Sequence, residues 1–190
     1  MGLGYTLFLK NNVTQTFFRV SPGRIFNTGD SVRLLVESNT DGYLYLFHQE
    51  DGGPVKLLYP SSEIRDGDNR IWAHYPQFVP DPNIYEFTLT GKPAVENFTL
   101  VASSEPLPGV PIGSTLTGLK NVLIDHKLFR QITGFESYRE YHSADGSGMT
   151  NRENSRDVLL VKSDPPPAHI LVNRYSTGKR VVARFDVQHR

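Results

Sequence analysis

The chain has 190 residues, which is within the size of one domain and enough to bury a substantial core. Lysine plus arginine and aspartate plus glutamate both total 20, so no overall field draws the chain to nucleic acid or to an anionic membrane surface. Cysteine is absent, which excludes disulfides, thiolate nucleophiles, zinc ribbons and iron–sulfur clusters.

No apolar run approaches the roughly 20 residues that cross a bilayer, so no transmembrane segment is expected. Met1-Gly2-Leu3-Gly4-Tyr5 lacks the basic and apolar regions of a signal peptide. That leaves a cytoplasmic protein, or a periplasmic or extracellular one whose leader has been removed; the second is the working expectation.

Short aromatic and β-branched runs recur between Gly, Pro, Asn and Asp, the pattern of an antiparallel β-protein. Strands are predicted over 5–10, 16–20, 31–37, 43–48, 55–59, 70–75, 85–89 and 98–103. In 31–37, Val32, Leu34 and Val36 alternate with Ser31, Arg33 and Glu37, which predicts one core face and one mostly wet face. In 43–48, Leu44 and Leu46 point one way and Tyr43, Tyr45 and Phe47 the other. This fits a central strand covered on both sides, or one whose aromatic face meets a partner. Asp41 and Asp51 sit beside glycines and read as turn formers, with Gly42 supplying backbone freedom.

Residues 114–133 place Leu116, Leu119, Val122, Leu123, Leu128, Phe129 and Ile132 on an apolar stripe. This predicts one amphipathic helix lying on a sheet, with Ser114 as N-cap and Gly134 as its stop. Residues 136–156 read as a polar loop. Closing strands follow within 157–188, at 157–162, 169–173 and 180–187, with Pro165-Pro166-Pro167 forcing an extended link. The fold expected is mainly β: a single antiparallel β-sandwich domain over 1–190 with that one helix packed on a sheet.

Catalytic signals are weak. The histidines are scattered singly; His48 and His74 converge only if their strands are neighbours, with Glu50 nearby, so no metal or other cofactor is predicted. Asp66-Gly67-Asp68-Asn69 and Asp145-Gly146-Ser147-Gly148 cluster oxygen ligands without the spacing of a calcium loop and read as turns. Gly146-Ser147-Gly148 lacks the strand-to-helix mount of a nucleophile elbow, and no phosphate-binding glycine loop occurs. Trp72, Tyr75 and Tyr85 join Tyr43 and Tyr45 as aromatics that anchor peptides or sugars when exposed and build a core when not.

The order of motifs carries more. Phe26-Asn27-Thr28-Gly29-Asp30-Ser31-Val32-Arg33-Leu34 is followed by Asn39-Thr40-Asp41-Gly42-Tyr43-Leu44-Tyr45-Leu46-Phe47, then by Leu57-Leu58-Tyr59-Pro60, Asp68-Asn69-Arg70-Ile71 and Val101-Ala102-Ser103-Ser104-Glu105-Pro106-Leu107. This series resembles the bacterial family called domain of unknown function 4384, over about 17–108, and the strand at 180–189 looks like the end of its longer members. The resemblance implies an accessory module found in envelope or secreted proteins, or attached to peptidases or kinases, with no catalytic residues to carry over.

The function expected is therefore a non-enzymatic envelope or secreted interaction module that binds a protein or glycan through a sheet face or end loops. Tyr43, Tyr45, Phe47, Trp72 and Tyr75 are its candidate contacts. Two alternatives stand beside it. One is a self-assembling structural subunit joined to its own copies by strand addition through Tyr5, Leu7 and Leu9. The other is a hydrolase using His48 or His74 with nearby carboxylates.

Overall fold

The computed structural model describes residues 1–21, 23–81, 86–134, 138–142, 169–173 and 178–190. In chain order the strands are β1 (Gly2–Lys10), β2 (Phe17–Val20), β3 (Ile25–Phe26), β4 (Ser31–Ser38), β5 (Gly42–Glu50), β6 (Val55–Tyr59), β7 (Arg70–Ile71), β8 (Gln77–Val79), β9 (Phe87–Thr88), β10 (Ala94–Ser103) and β11 (Leu123–Ile124). Helix α1 (His126–Thr133) follows, then β12 (Tyr138–His142), β13 (His169–Asn173) and β14 (Arg180–His189). They form two seven-stranded sheets. The first runs β12-β13-β1-β4-β8, with β2 beside β1 and β9 beside β4; the second runs β11-β6-β5-β10-β14-β3, with β7 beside β5.

The two sheets pack face to face because each strand buries alternate side chains. Leu3, Tyr5, Leu7 and Leu9 of β1 and Val32, Leu34 and Val36 of β4 meet Leu44, Leu46, Leu100, Ala102, Val181 and Ala183 of the second sheet in one core. A buried leucine contributes about 1.5–3 kcal/mol, and these positions are at most 4 % exposed. Tyr5, Phe185 and Phe98 stack in series at 5.4 Å between successive ring centroids.

A second core lies on the outer face of the second sheet. Tyr45 and Phe47 of β5, Val101 of β10 and Val182 of β14 are covered by Leu107, Val110, Leu116, Ile124 and Ile132. Phe129 of α1 meets Phe47 edge-on at 5.5 Å. Strand β5 is thus covered on both sides, as its two apolar faces predict.

Several expectations are corrected. The helix is less than half the predicted length: Gly113–Leu116 form a 3-10 turn, and Gly118 (φ 75°) and Asn121 (φ 52°) take left-handed conformations that interrupt any α-helix. The N-cap is Asp125, whose carboxylate accepts from the Lys127 and Leu128 amides at 2.8 and 3.1 Å, and the helix stops at Gly134 as expected. Those two backbone bonds also hold the Asp125 carboxyl below its ordinary range. Leu119 and Leu123, placed on the apolar stripe, are exposed.

The outer face of β4 is not wet, because Ser31, Arg33 and Glu37 are all buried. The Arg33 guanidinium lies 3.2 Å from the Phe17 ring centre and 3.4 Å from Glu86. Gly42 has no left-handed φ; a Cβ there would stand 2.4 Å from the Ser103 carbonyl oxygen, so close strand approach requires the glycine. The polar loop expected over 136–156 contains β12. The predicted strand 157–162, the Asp145–Gly148 segment, Pro165–Pro167 and Tyr85 lie outside the described residues.

Candidate functional site

The sequence candidates separate by burial. Tyr45 and Phe47 are 0 % and 1 % exposed and Tyr43 is partly buried, so β5 builds the second core instead of presenting an aromatic face. Tyr45 accepts from the Leu107 amide at 3.0 Å, and burial pushes its hydroxyl pKa up against the opposing pull of that bond. Tyr5, Leu7 and Leu9 are core residues of a strand paired on both edges, to β4 on one side and to β13 and β2 on the other. β1 therefore has no free edge for strand addition.

Trp72 and Tyr75 are different, being 45 % and 63 % exposed. They lie on the segment that leaves β7 in the second sheet and enters β8 at the edge of the first. This crossing is fixed to the β4–β5 turn: the Ala73 amide donates to Asp41 Oδ1 at 2.8 Å and the His74 amide to the Ser38 carbonyl at 2.7 Å. Held in this way, Trp72 and Tyr75 line a groove of about 360 Å³ together with Tyr59, Ile64 and Phe78.

Polar groups complete the groove. The Arg65 guanidinium stands 5.3 Å from the Trp72 ring centre and 3.2 Å from Asp68 Oδ2, a cation–π arrangement that fixes one face of the indole. Asp68, held below the ordinary carboxylate range chiefly by the Arg70 side chain, anchors this corner. Asp81 also lines the groove. The Gln77 side-chain nitrogen is buried without a hydrogen-bond partner, an arrangement that costs about 1–3 kcal/mol. Arg65, Gln77 and Asp81 escaped sequence reasoning because they come from the 3-10 turn Arg65–Gly67, from β8 and from the residues after it, which only the inter-sheet crossing unites.

His48 and His74 do not converge. His74 faces Glu37 of the first sheet at 3.9 Å, whereas His48 pairs with Glu96 Oε2 of the second. Glu96 Oε1 also faces His189 Nε2 at 3.2 Å, and His189 Nδ1 contacts the Thr28 hydroxyl at 3.0 Å. Each imidazole takes a different oxygen of one carboxylate, and among the described residues no group of three or more His, Asp or Glu could hold a metal ion. The amides beside Thr28 are engaged, Thr28 with the Arg190 carbonyl and Gly29 with the Leu89 carbonyl, so neither is placed to stabilise an oxyanion. This cluster ties β5, β10 and β14 together; β-register across three strands assembled it, and no local motif announced it.

Among the described residues, two packed sheets with one helix over an outer face define a β-sandwich-like protein. Residues 25–106 match the family described as domain of unknown function (DUF4384), and that stretch is a member of it. No curated protein and no solved structure matches the chain. Among the described residues no helix is long and apolar enough to cross a membrane.

Proposed function

We propose that the protein is a non-enzymatic interaction module of the bacterial envelope or extracellular space that binds a protein or glycan in the Trp72–Tyr75 groove. The observation that carries this reading is the exposure of two large aromatic rings on a segment whose backbone is anchored to the sandwich. A pre-formed concave site with a few fixed polar groups binds without the cost of ordering itself. The buried aromatics of β5 serve stability and take no part in recognition.

The test compares wild type with the double variant Trp72→Ala/Tyr75→Ala on an immobilised panel of oligosaccharides and peptides, after thermal melts show that the variant is folded. At least one ligand should be retained by the wild type and lost by the variant. Equal retention by both, or none by either, would remove the groove from consideration.

A further inference from the structure

The geometry points to a second binding site, distinct from the Trp72–Tyr75 groove, for a medium-chain aliphatic carboxylate. A groove of about 350 Å³ is lined by residues of β6, of 60–64 and of 116–122, together with Phe87 of β9, so both sheets contribute to it. The Leu57 amide donates to the Val122 carbonyl at 2.8 Å, and the Ser62 hydroxyl reaches the Leu119 carbonyl at 3.5 Å. These bonds tie the lining segments together, so the groove costs little to order when a ligand enters.

Its lining is aliphatic. Leu57, Leu58, Ile64, Leu116, Leu119 and Val122 line it, and among the described residues Phe87 is the one aromatic ring there. Such a lining lacks the paired flat faces on which sugars stack and favours an alkyl chain, whose methylenes gain by leaving water. Leu58 and Phe87 also pack against the inter-sheet core, so a chain lying against them adds to that core. Leu119 is 47 % exposed although its amide is held by the Leu116 carbonyl at 2.9 Å, and Gly118 (φ 75°) and Asn121 (φ 52°) fix the backbone around it. A leucine held in water beside an apolar groove is surface that an alkyl chain would cover.

Charge selects the head group. Lys120 and Glu63 both line the groove. Glu63 already interacts within the fold, whereas Lys120 has no hydrogen bond or ion pair among the described residues, so the uncompensated charge is positive. A carboxylate at the end of the chain answers it, and an alkylammonium is repelled. The groove is near the lower end of the roughly 300–1,000 Å³ typical of ligand sites, which suits a single chain of medium length.

Isothermal titration calorimetry of the full chain with hexanoate, octanoate and decanoate, each below its micellar concentration, tests the site. Saturable binding is expected, tightening by about five- to fifteenfold with each two carbons added. Leu119→Ser should weaken octanoate by at least about threefold, and Lys120→Gln by about two- to fivefold, as for an exposed ion pair. Both side chains are exposed, so melting temperatures should match wild type. 1-Octanol should bind wild type and Lys120→Gln alike. Ile64 lines both grooves, yet Trp72→Ala/Tyr75→Ala should leave octanoate binding unchanged; its loss would move the acid to the first groove and overturn the assignment. No binding of any acid, octyltrimethylammonium binding as tightly as octanoate, or affinity indifferent to Leu119→Ser or to Lys120→Gln would each overturn it as well. Saturation by the peptide acetyl-Ala-Leu-Leu with a free carboxylate, and by none of the acids, would give the groove to a peptide C-terminus instead.

Discussion

Replacing Tyr45 by phenylalanine removes one oxygen from the second core and leaves the ring in place. The Leu107 amide, 3.0 Å from that oxygen, then has no acceptor. Leu107 is 2 % exposed and Tyr45 0 %, so water cannot readily replace the lost partner, and an orphaned buried donor costs about 1–3 kcal/mol. For a chain of this size each kcal/mol moves the melting midpoint by about 2–4 °C, so Tyr45→Phe should melt about 2–12 °C lower. Differential scanning calorimetry measures the shift, and retention of the variant on the immobilised panel should match wild type, because Tyr45 lies outside the groove. An unchanged midpoint with impaired ligand binding would refute the assignment of Tyr45 to the core and restore it as a contact.

Gly42→Ala should destabilise by about 1–3 kcal/mol, since its Cβ would collide with the Ser103 carbonyl oxygen; urea unfolding with an unaltered midpoint would show that the strands can move apart freely. Deleting residues 1–10 removes Leu3, Tyr5, Leu7 and Leu9 from the inter-sheet core. At about 1.5–3 kcal/mol each, their loss rivals the roughly 5–15 kcal/mol that holds a typical domain. The truncated chain should fail to give a folded far-ultraviolet spectrum, and a stable truncated monomer would reopen β1 as an assembly strand. Acid should weaken the fold through Asp68 and Glu86, whose carboxyls are lowered chiefly by hydrogen bonds from Arg70 and Lys10 respectively. A lowered folded-state pKa gives stabilisation that is complete above the unfolded value of about 4 and is lost as pH falls through the folded value. Melting midpoints should therefore drop below about pH 4, and Asp68→Asn/Glu86→Gln should flatten that drop; an equally steep drop in the variant would assign acid sensitivity to other groups.

Alternation made most strands legible. Val55–Tyr59 and His169–Asn173 have the predicted limits, and β4, β5, β10 and β14 overrun theirs by a few residues. A period of two needs only neighbours in sequence to reveal it. The helix was overextended because apolar residues spaced three and four apart also occur in an irregular segment that covers a sheet, and only Gly118 and Asn121 marked the break. Whether the β5 aromatics were core or contact depended on Leu107 to Ile132, residues far along the chain that fold over them. Trp72 and Tyr75 were legible as candidates from residue type alone. Their groove was not, because Arg65, Gln77 and Asp81 acquire meaning only when the chain crosses between sheets.

The pairing of β10 with β14 runs from Ala94 opposite His189 to Ser103 opposite Arg180. At about 5–20 residues per second of synthesis, roughly 4–15 s separate the emergence of one strand from that of its partner. During that interval β10 offers a hydrogen-bonding edge and the side chains of Phe98, Leu100 and Val101 to whatever is near. Neighbouring nascent chains carrying the same edge are the nearest competitors. The order in which the ribosome delivers these strands therefore sets a window of vulnerability, and slower translation widens it even though the finished sandwich is unchanged.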